Sequence, residues 1–98
     1  MKDQPQTTST KETYDLVKGT YSPEDGHEII VDLLSKKISF HVQKNFSRII
    51  RFGSEDERSL TRIQELNETK EKARALIQQA GQLGKSVRIH STITIEII

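Results

Sequence analysis

Residues 54–98 read SEDERSLTRIQELNETKEKARALIQQAGQLGKSVRIHSTITIEII, and this stretch decides the fold. Ser54 and Glu57 have the spacing of a capping box, in which the two side chains bond the free backbone N–H groups of a helix start. Apolar residues then recur at helical spacing, and Lys70 interrupts them: Leu60, Ile63, Leu66, Ala73, Ile77 and Ala80. The pattern predicts an amphipathic helix over about 55–80, ended by Gly81 and Gly84.

The end of the stretch, over about 86–97, alternates between two kinds of side chain. One side is apolar except for Ser91, and the other is polar: Val87, Ile89, Ile93, Ile95 and Ile97 against Arg88, His90, Thr92, Thr94 and Glu96. This alternation predicts a strand with one face in the core and one face exposed to solvent, as in an antiparallel or outer strand. At about 1.5 Å per helical residue and about 3.3 Å per strand residue, the helix and the strand have similar lengths. We therefore expect the long helix to cover one face of the sheet.

Upstream of this unit, the aromatic and β-branched residues of 13–21 predict a first strand. Ser22-Pro23-Glu24-Asp25 then has the features of a helix start: a capping hydroxyl, a proline for the first turn and acidic residues for the positive end of the dipole. These features favour a helix over 23–36. The alternative is a hairpin turn at Asp25-Gly26, followed by a strand through the β-branched run 29–31.

Residues 37–43 alternate as well, with Ile38, Phe40 and Val42 on one side, and this period of two predicts a middle strand. Residues 45–53 are less regular and are expected to form a connection. The predicted fold is therefore a small α+β domain over 12–98 with the order β-α-β-α-β. Residues 1–11 contain almost nothing that could be buried, so a disordered tail is expected there.

Composition excludes several classes of function. The chain has 98 residues, a formal net charge of +1 and no cysteine. Disulfides, thiolate catalysis and cysteine-based zinc sites are therefore ruled out. Residues 1–12 lack the apolar run of a signal peptide, and no stretch approaches the roughly 20 apolar residues of a membrane span. A cytoplasmic protein without a membrane partner is expected.

The most unusual segment is 36–52, which is basic and holds all three phenylalanines of the chain. It has no acidic residue, and its cations are Lys36, Lys37, Lys44, Arg48 and Arg51. Cations can neutralise phosphates, and exposed rings such as Phe40, Phe46 and Phe52 can stack on bases, which would make a nucleic-acid or partner contact. The alternative is that the rings belong to the core and the cations are simply solvated.

The three histidines are the best candidates for a catalytic or metal-binding site. None has a second histidine or a carboxylate at a recognised metal-ligand spacing. His41 and His90 both fall on the polar sides of predicted strands, so neighbouring strands could bring them together with Glu96 as a general base or a metal site. Isolated surface histidines are the more common outcome. No catalytic, cofactor-binding or metal-binding residue is therefore predicted.

Four short strings resemble a group of small uncharacterised bacterial proteins of unknown function: Tyr21-Ser22-Pro23-Glu24, Ile38-Ser39-Phe40-His41, Arg51-Phe52-Gly53 and Ser91-Thr92-Ile93-Thr94-Ile95-Glu96. The resemblance covers residues 21–98. It implies a bacterial cytoplasmic setting and favours a helix after Ser22, but it transfers no catalytic or binding residue.

The function expected from these residues is that of a small non-enzymatic interaction or structural module. The isoleucine-rich terminal strand favours a homodimer formed through a sheet edge, because an open edge can pair with a second copy or with another protein. The alternative is a nucleic-acid-binding module that uses the basic segment 36–52.

Overall fold

The computed structural model describes residues 10–98, which form a small α+β structure with two antiparallel strands and two helices. The elements are β1 (Lys11–Tyr21), α1 (Pro23–Phe52), α2 (Glu57–Gln82) and β2 (Val87–Glu96). They make two compact units: a helical hairpin over 21–87, and a two-stranded sheet formed by 10–20 and 88–98. The single domain over 12–98 and the covering of the sheet by the long helix stay predictions. The expected tail 1–11 falls largely outside the described residues, and β1 already begins at Lys11.

Helix α1 begins and ends at clear local signals. The hydroxyl of Ser22 accepts a hydrogen bond of 3.1 Å from the Asp25 backbone N–H, and Pro23 occupies the first turn. At the other end Gly53 has a φ of 70°, and its N–H donates to the Ile49 carbonyl at 2.8 Å. A left-handed residue closes a helix, and glycine adopts that conformation without strain. The helix predicted after Ser22 is thus confirmed, and the alternative turn at residues 25–26 is wrong.

The predicted middle strand over 37–43 is wrong, because these residues belong to α1. Once a helix has formed, each further residue adds a hydrogen bond at little cost, and no proline occurs between Pro23 and Gly53 to stop it. In a helix, residues two apart point about 200° apart. Ile38 is therefore half-buried, whereas Phe40 and Val42 are exposed on different sides. The order along the chain is β-α-α-β.

Helix α2 and strand β2 lie close to the predicted ranges of 55–80 and 86–97. The side of α2 that is withdrawn from solvent has residues spaced alternately by four and three, as in a coiled-coil seam: Ser59, Ile63, Leu66, Lys70, Ala73, Ile77 and Ala80. Helices α1 and α2 pack against each other along the hairpin. Leu66 and Ile77, at 5% and 7% exposure, are the buried large apolar residues of the described chain.

The predicted capping box at the start of α2 is wrong. Asp56 is the residue before the helix, and its side chain makes no cap hydrogen bond. Instead, the Asp56 backbone N–H donates to Oδ1 of Asn45 in α1 at 2.6 Å. A side chain from the neighbouring helix therefore accepts the N–H of the residue before the helix, which in a capping box is bonded by the Glu or Gln three residues further on.

Candidate interaction surfaces

The register of the sheet follows from two contacts between its strands. The Ile97 N–H donates to the Thr10 carbonyl at 2.6 Å, and the hydroxyl oxygens of Thr13 and Thr94 lie 3.0 Å apart. In both pairs the residue numbers add to the same value, as antiparallel pairing requires. One face of the sheet is consequently polar, with His90 Nε2 lying 2.9 Å from Oδ1 of Asp15.

The opposite face of the sheet is apolar and open to solvent. We call it the apolar sheet face, and its members are between 42% and 72% exposed: Tyr14, Leu16, Ile93, Ile95 and Ile97. The two-sided alternation predicted for β2 is confirmed, but its apolar side is not a buried core face. Taking about 200 Å² for a large side chain, the exposed apolar area is on the order of 500 Å². That value lies in the upper part of the range for the largest patch on a soluble monomer, about 300–600 Å².

The phenol of Tyr14 adds a polar contact at the rim of this face. Its hydroxyl donates to a carboxylate oxygen of Glu12 at 2.6 Å. This hydrogen bond, together with burial, raises the pKa of Tyr14 above its ordinary value of 10.0. The phenol therefore stays neutral and remains a donor at physiological pH.

Both strands of the described sheet have an unpaired edge, because the sheet contains only β1 and β2. The bond between Ile97 and Thr10 marks the hydrogen-bonded pairs of the ladder. In an antiparallel pair these alternate with non-hydrogen-bonded pairs, whose N–H groups point outward. Thr13 and Thr94 form such a pair, and so do Asp15 and Thr92 by the same register. Among residues 10–98, no further strand pairs with their backbone groups, and outward groups of this kind can pair with another strand.

The C-terminal half of α1 has two different sides. At about 100° per residue, four apolar residues fall within an arc of about 100° that contains no charged side chain. We call them the apolar flank, and they are 39–69% exposed: Val42, Phe46, Ile49 and Ile50. Four cations, the basic flank, fall within an arc of about 60° on the opposite side: Lys37, Lys44, Arg48 and Arg51. Phe40 lies beside the basic flank, and Phe52 lies between the two flanks.

All five cations predicted as a contact lie exposed on α1, and four of them form the basic flank. Lys36 lies outside that arc, and its Nζ is 3.3 Å from a carboxylate oxygen of Asp32 one turn earlier. The Lys37 ammonium lies 4.6 Å from the ring centroid of Phe40. The Arg48 guanidinium lies 5.5 Å from the ring centroid of Phe52. Both distances are within the range of cation–π attraction. The structure thus brings cations and exposed rings together, and the three rings are not core residues.

A polar cluster joins the helices near the turn of the hairpin. Ser59, only 2% exposed, donates to Oδ2 of Asp56 at 3.0 Å, and its oxygen lies 3.5 Å from Nδ1 of His41. We call His41, Asn45, Asp56 and Ser59 the turn cluster. Two of its contacts join α1 to the start of α2, between residues that are 11 and 18 positions apart in the sequence.

The turn cluster contains a serine, a histidine and an aspartate, but its order is not that of a catalytic triad. In a triad the histidine lies between the nucleophile and the carboxylate. Here the serine lies in the middle, and its proton is donated to Asp56. Because Ser59 is also buried, a substrate carbonyl would not reach its oxygen. The cluster serves to hold the two helices together.

The surroundings of the turn cluster lower the pKa values of both His41 and Asp56. Burial, followed by the positive charges of Lys37, Arg62 and Lys44, lowers the pKa of His41 below its ordinary value of 6.5, although Asp56 acts in the opposite direction. The Nε2 atom of His41 is buried without a hydrogen-bond partner among the described residues. The hydrogen bond from Ser59 lowers the pKa of Asp56. His41 is therefore neutral and Asp56 is ionised at neutral pH.

The structure does not support the predicted pairing of His41 with His90. It assumed two neighbouring strands, but His41 lies in α1 and contacts the turn cluster, while His90 lies in β2 and contacts Asp15. Within residues 10–98, no group of three or more His, Asp or Glu side chains could hold a metal ion. Neither helix of that part of the chain is long and apolar enough to cross a membrane.

No family model, curated protein or solved structure matches the chain. The surfaces described above therefore carry the functional argument. Sequence reasoning missed the turn cluster and the apolar flank. The signal for the flank was present in the i, i+4, i+7, i+8 spacing of Val42, Phe46, Ile49 and Ile50, which becomes apparent when 37–52 is read as helix.

Proposed function

We propose that this protein is a small non-enzymatic interaction module that associates with a second copy of itself through its two-stranded sheet. The observation that carries the proposal is the apolar sheet face. A two-stranded sheet is marginally stable in water and needs further strands or an apolar covering. A second copy would supply both. We place the module in the bacterial cytoplasm, a setting supported by the resemblance noted above and by the absence of cysteine from the sequence.

The free strand edges support this mode of association. An antiparallel ribbon with unpaired N–H and C=O groups on both sides is a template for pairing. Association between copies would bury the isoleucines of β2 and give edge groups a partner. The two contributions act together, since edge pairing alone would leave the apolar sheet face in water.

The apolar contribution is tested by Ile93→Thr/Ile95→Thr, which keeps β-branched residues in the strand but removes apolar area. Light scattering after size exclusion should show a lower mass for this variant than for the original chain. The matched control is Thr92→Val/Thr94→Val on the opposite face of the same strand, and it should keep the original mass. Equal masses for all three proteins would contradict the proposal.

The edge contribution is tested by a proline. Thr92→Pro removes an outward N–H of β2 without removing a ladder hydrogen bond, because Thr92 is in a non-hydrogen-bonded pair. We expect weaker association with an unchanged circular dichroism spectrum. Association that persists in Thr92→Pro but is lost in Ile93→Thr/Ile95→Thr would assign the contact to the apolar sheet face alone.

A second candidate function, nucleic-acid binding, is favoured by one observation: exposed Phe40 lies beside the basic flank, with Lys37 over its ring. Cations and a stacking ring on one side of a helix suit a single strand of RNA or DNA. Lys44→Glu/Arg48→Glu should then abolish salt-sensitive retention of RNA. Lys72→Glu/Lys85→Glu makes the same change of charge elsewhere and should retain it. Retention that is absent in the original chain, or equal in both variants, would remove this candidate.

A further inference from the structure

We infer that the apolar flank of α1 is a second interface between copies of this chain, separate from the sheet. It lies in the helical hairpin, a different compact unit from the strands. The inference therefore does not depend on the proposed association through the sheet, and each can fail without the other.

The first reason is the amount of exposed apolar surface. The four side chains of the flank together expose on the order of 400 Å² of apolar area, taking about 200 Å² for a large side chain. This is close to the apolar share of a standard interface, in which each partner buries roughly 800 Å² and somewhat more than half of that area is non-polar. This area lies within the range for the largest patch on a soluble monomer, about 300–600 Å², and this chain has a second patch of similar size on its sheet.

The second reason is that the hairpin extends this surface. The pocket formed by Pro23, Glu24, His27, Arg74 and Gln78 shows which sides of α1 and α2 adjoin. Counting about 100° per residue from those positions places Leu60 and Ile63 of α2 on the same side as the apolar flank. Both are half-buried. The surface is thus a two-helix face and not a single exposed ridge.

The third reason is the distribution of charge, which favours a second copy over a nucleic acid or a membrane as the partner. The arc of the flank contains no charged side chain, so a nucleic acid has nothing to bind there. An anionic membrane would need cations close to the inserted residues, but the basic flank lies on the opposite side of the helix. The flank itself carries no charge, and the charged residues beside Leu60 and Ile63 on α2 are of both signs: Glu68, Glu71 and Lys72. Such a surface is suited to a copy of itself, because no run of like charges meets when two copies of the flank pack.

The spacing of the four residues suits a two-fold arrangement. If two copies of α1 pack antiparallel about an axis at Phe46, Val42 of each copy meets Ile50 of the other. Two-fold interfaces of this kind are the commonest in homo-oligomers, since every favourable contact occurs twice. Two separate two-fold interfaces on one chain give a tetramer when they close, and a chain of copies when they do not.

The main test compares two phenylalanines of the same helix. Phe46→Ser removes the centre of the flank, whereas Phe40→Ser changes a ring of similar exposure, 53% against 63%, beside the basic flank. Sedimentation equilibrium should show that Phe46→Ser lowers the average mass, by half if the original assembly is closed, and that Phe40→Ser leaves it unchanged. Combining Phe46→Ser with Ile93→Thr/Ile95→Thr should give a monomer. If Phe46→Ser has the mass of Phe40→Ser, the inference is overturned, whatever the sheet variant does.

A cross-link gives a second measurement that does not rely on loss of association. The chain has no cysteine, so Phe46→Cys introduces a single thiol next to the expected two-fold axis. Mild oxidation should convert this variant to a disulfide-linked dimer at low protein concentration. Phe40→Cys should cross-link at least tenfold more slowly. Equal rates for the two variants would contradict a contact centred on Phe46.

Discussion

The hydroxyl oxygens of Thr13 and Thr94 lie 3.0 Å apart across the two strands of the sheet. This close approach is expected of a non-hydrogen-bonded antiparallel pair, whose side chains are nearer than those of the alternate pairs. It places both threonines on the polar face, and every second residue from them lies on that face too. Tyr14 and Ile93 are therefore on the other face, where they are exposed. The register thus explains why the apolar residues of both strands lie together on one face of the sheet.

Self-association predicts that stability depends on protein concentration. Binding between folded copies stabilises the folded state by mass action. The midpoint of thermal unfolding should therefore rise when the concentration of the original chain is raised a hundredfold. Ile93→Thr/Ile95→Thr should show a lower midpoint and a weaker dependence. A midpoint that is independent of concentration would mean that folding and association are not linked.

Two leucines of α2 are expected to contribute very differently to the free energy of unfolding. Leu66 is 5% exposed, whereas Leu76 on the same helix is 67% exposed. Leu66→Ala should lower the free energy of unfolding by about 2–4 kcal/mol, because it removes buried area and leaves a cavity. Leu76→Ala should cost less than about 1 kcal/mol, because its side chain is largely in water already. Urea titration of the two variants measures both values.

Replacing Lys70 is expected to stabilise the hairpin. It occupies a half-buried position of the α2 seam, between Leu66 and Ala73, where the spacing calls for an apolar residue. Lys70→Leu should raise the free energy of unfolding by about 1 kcal/mol, because it adds apolar area to the seam. Lys72→Leu, on the exposed side, serves as the control and should give little change. A destabilised Lys70→Leu would show that the lysine makes a contact that stabilises the hairpin.

The turn cluster predicts a specific dependence on pH. The pKa of His41 is lowered in the folded state from 6.5, so the unfolded chain binds its proton more readily. The associated stability is fully present above pH 6.5 and is lost as the pH falls from there through the folded pKa. Asp56 does not interfere, because its lowered pKa acts only below 3.8.

His41→Gln should flatten this dependence between pH 7.5 and pH 5, as measured by urea unfolding at several pH values. His27→Gln leaves His41 in place and should keep the slope of the original chain. If His41→Gln has the same slope as the original, the cluster does not contribute to the acid sensitivity.

The elements with strong local signals could be predicted from sequence. The sequence predicts the seam of α2 and the alternation of β2, because each has one consistent period over ten or more residues. It also predicts the start of α1, because Ser22 and Pro23 are in capping positions. The predicted end of α1 is too early. Ile38, Phe40 and Val42 have the spacing of a strand, but helix propagation from Pro23 to Gly53 overrides it.

The candidate surfaces were harder to predict, for a related reason. Whether Phe46 is exposed depends on which side of α1 packs on α2, and that follows only when 37–52 is known to be helical. The contact between His41 and Ser59 depends on the pairing of two helices across 18 residues of sequence. The cations of the basic flank could be named from composition. Their position opposite the apolar flank depends on the helical repeat of about 100° per residue.

The most direct test of the central claim is the mass of the unmodified chain in solution. Sedimentation equilibrium over a hundredfold range of concentration should give at least twice the 11.2 kDa of one copy at the upper end of the range. A fall toward one copy on dilution would be consistent with this result. A single mass of one copy at every concentration, up to the highest that is soluble, would contradict self-association through either surface.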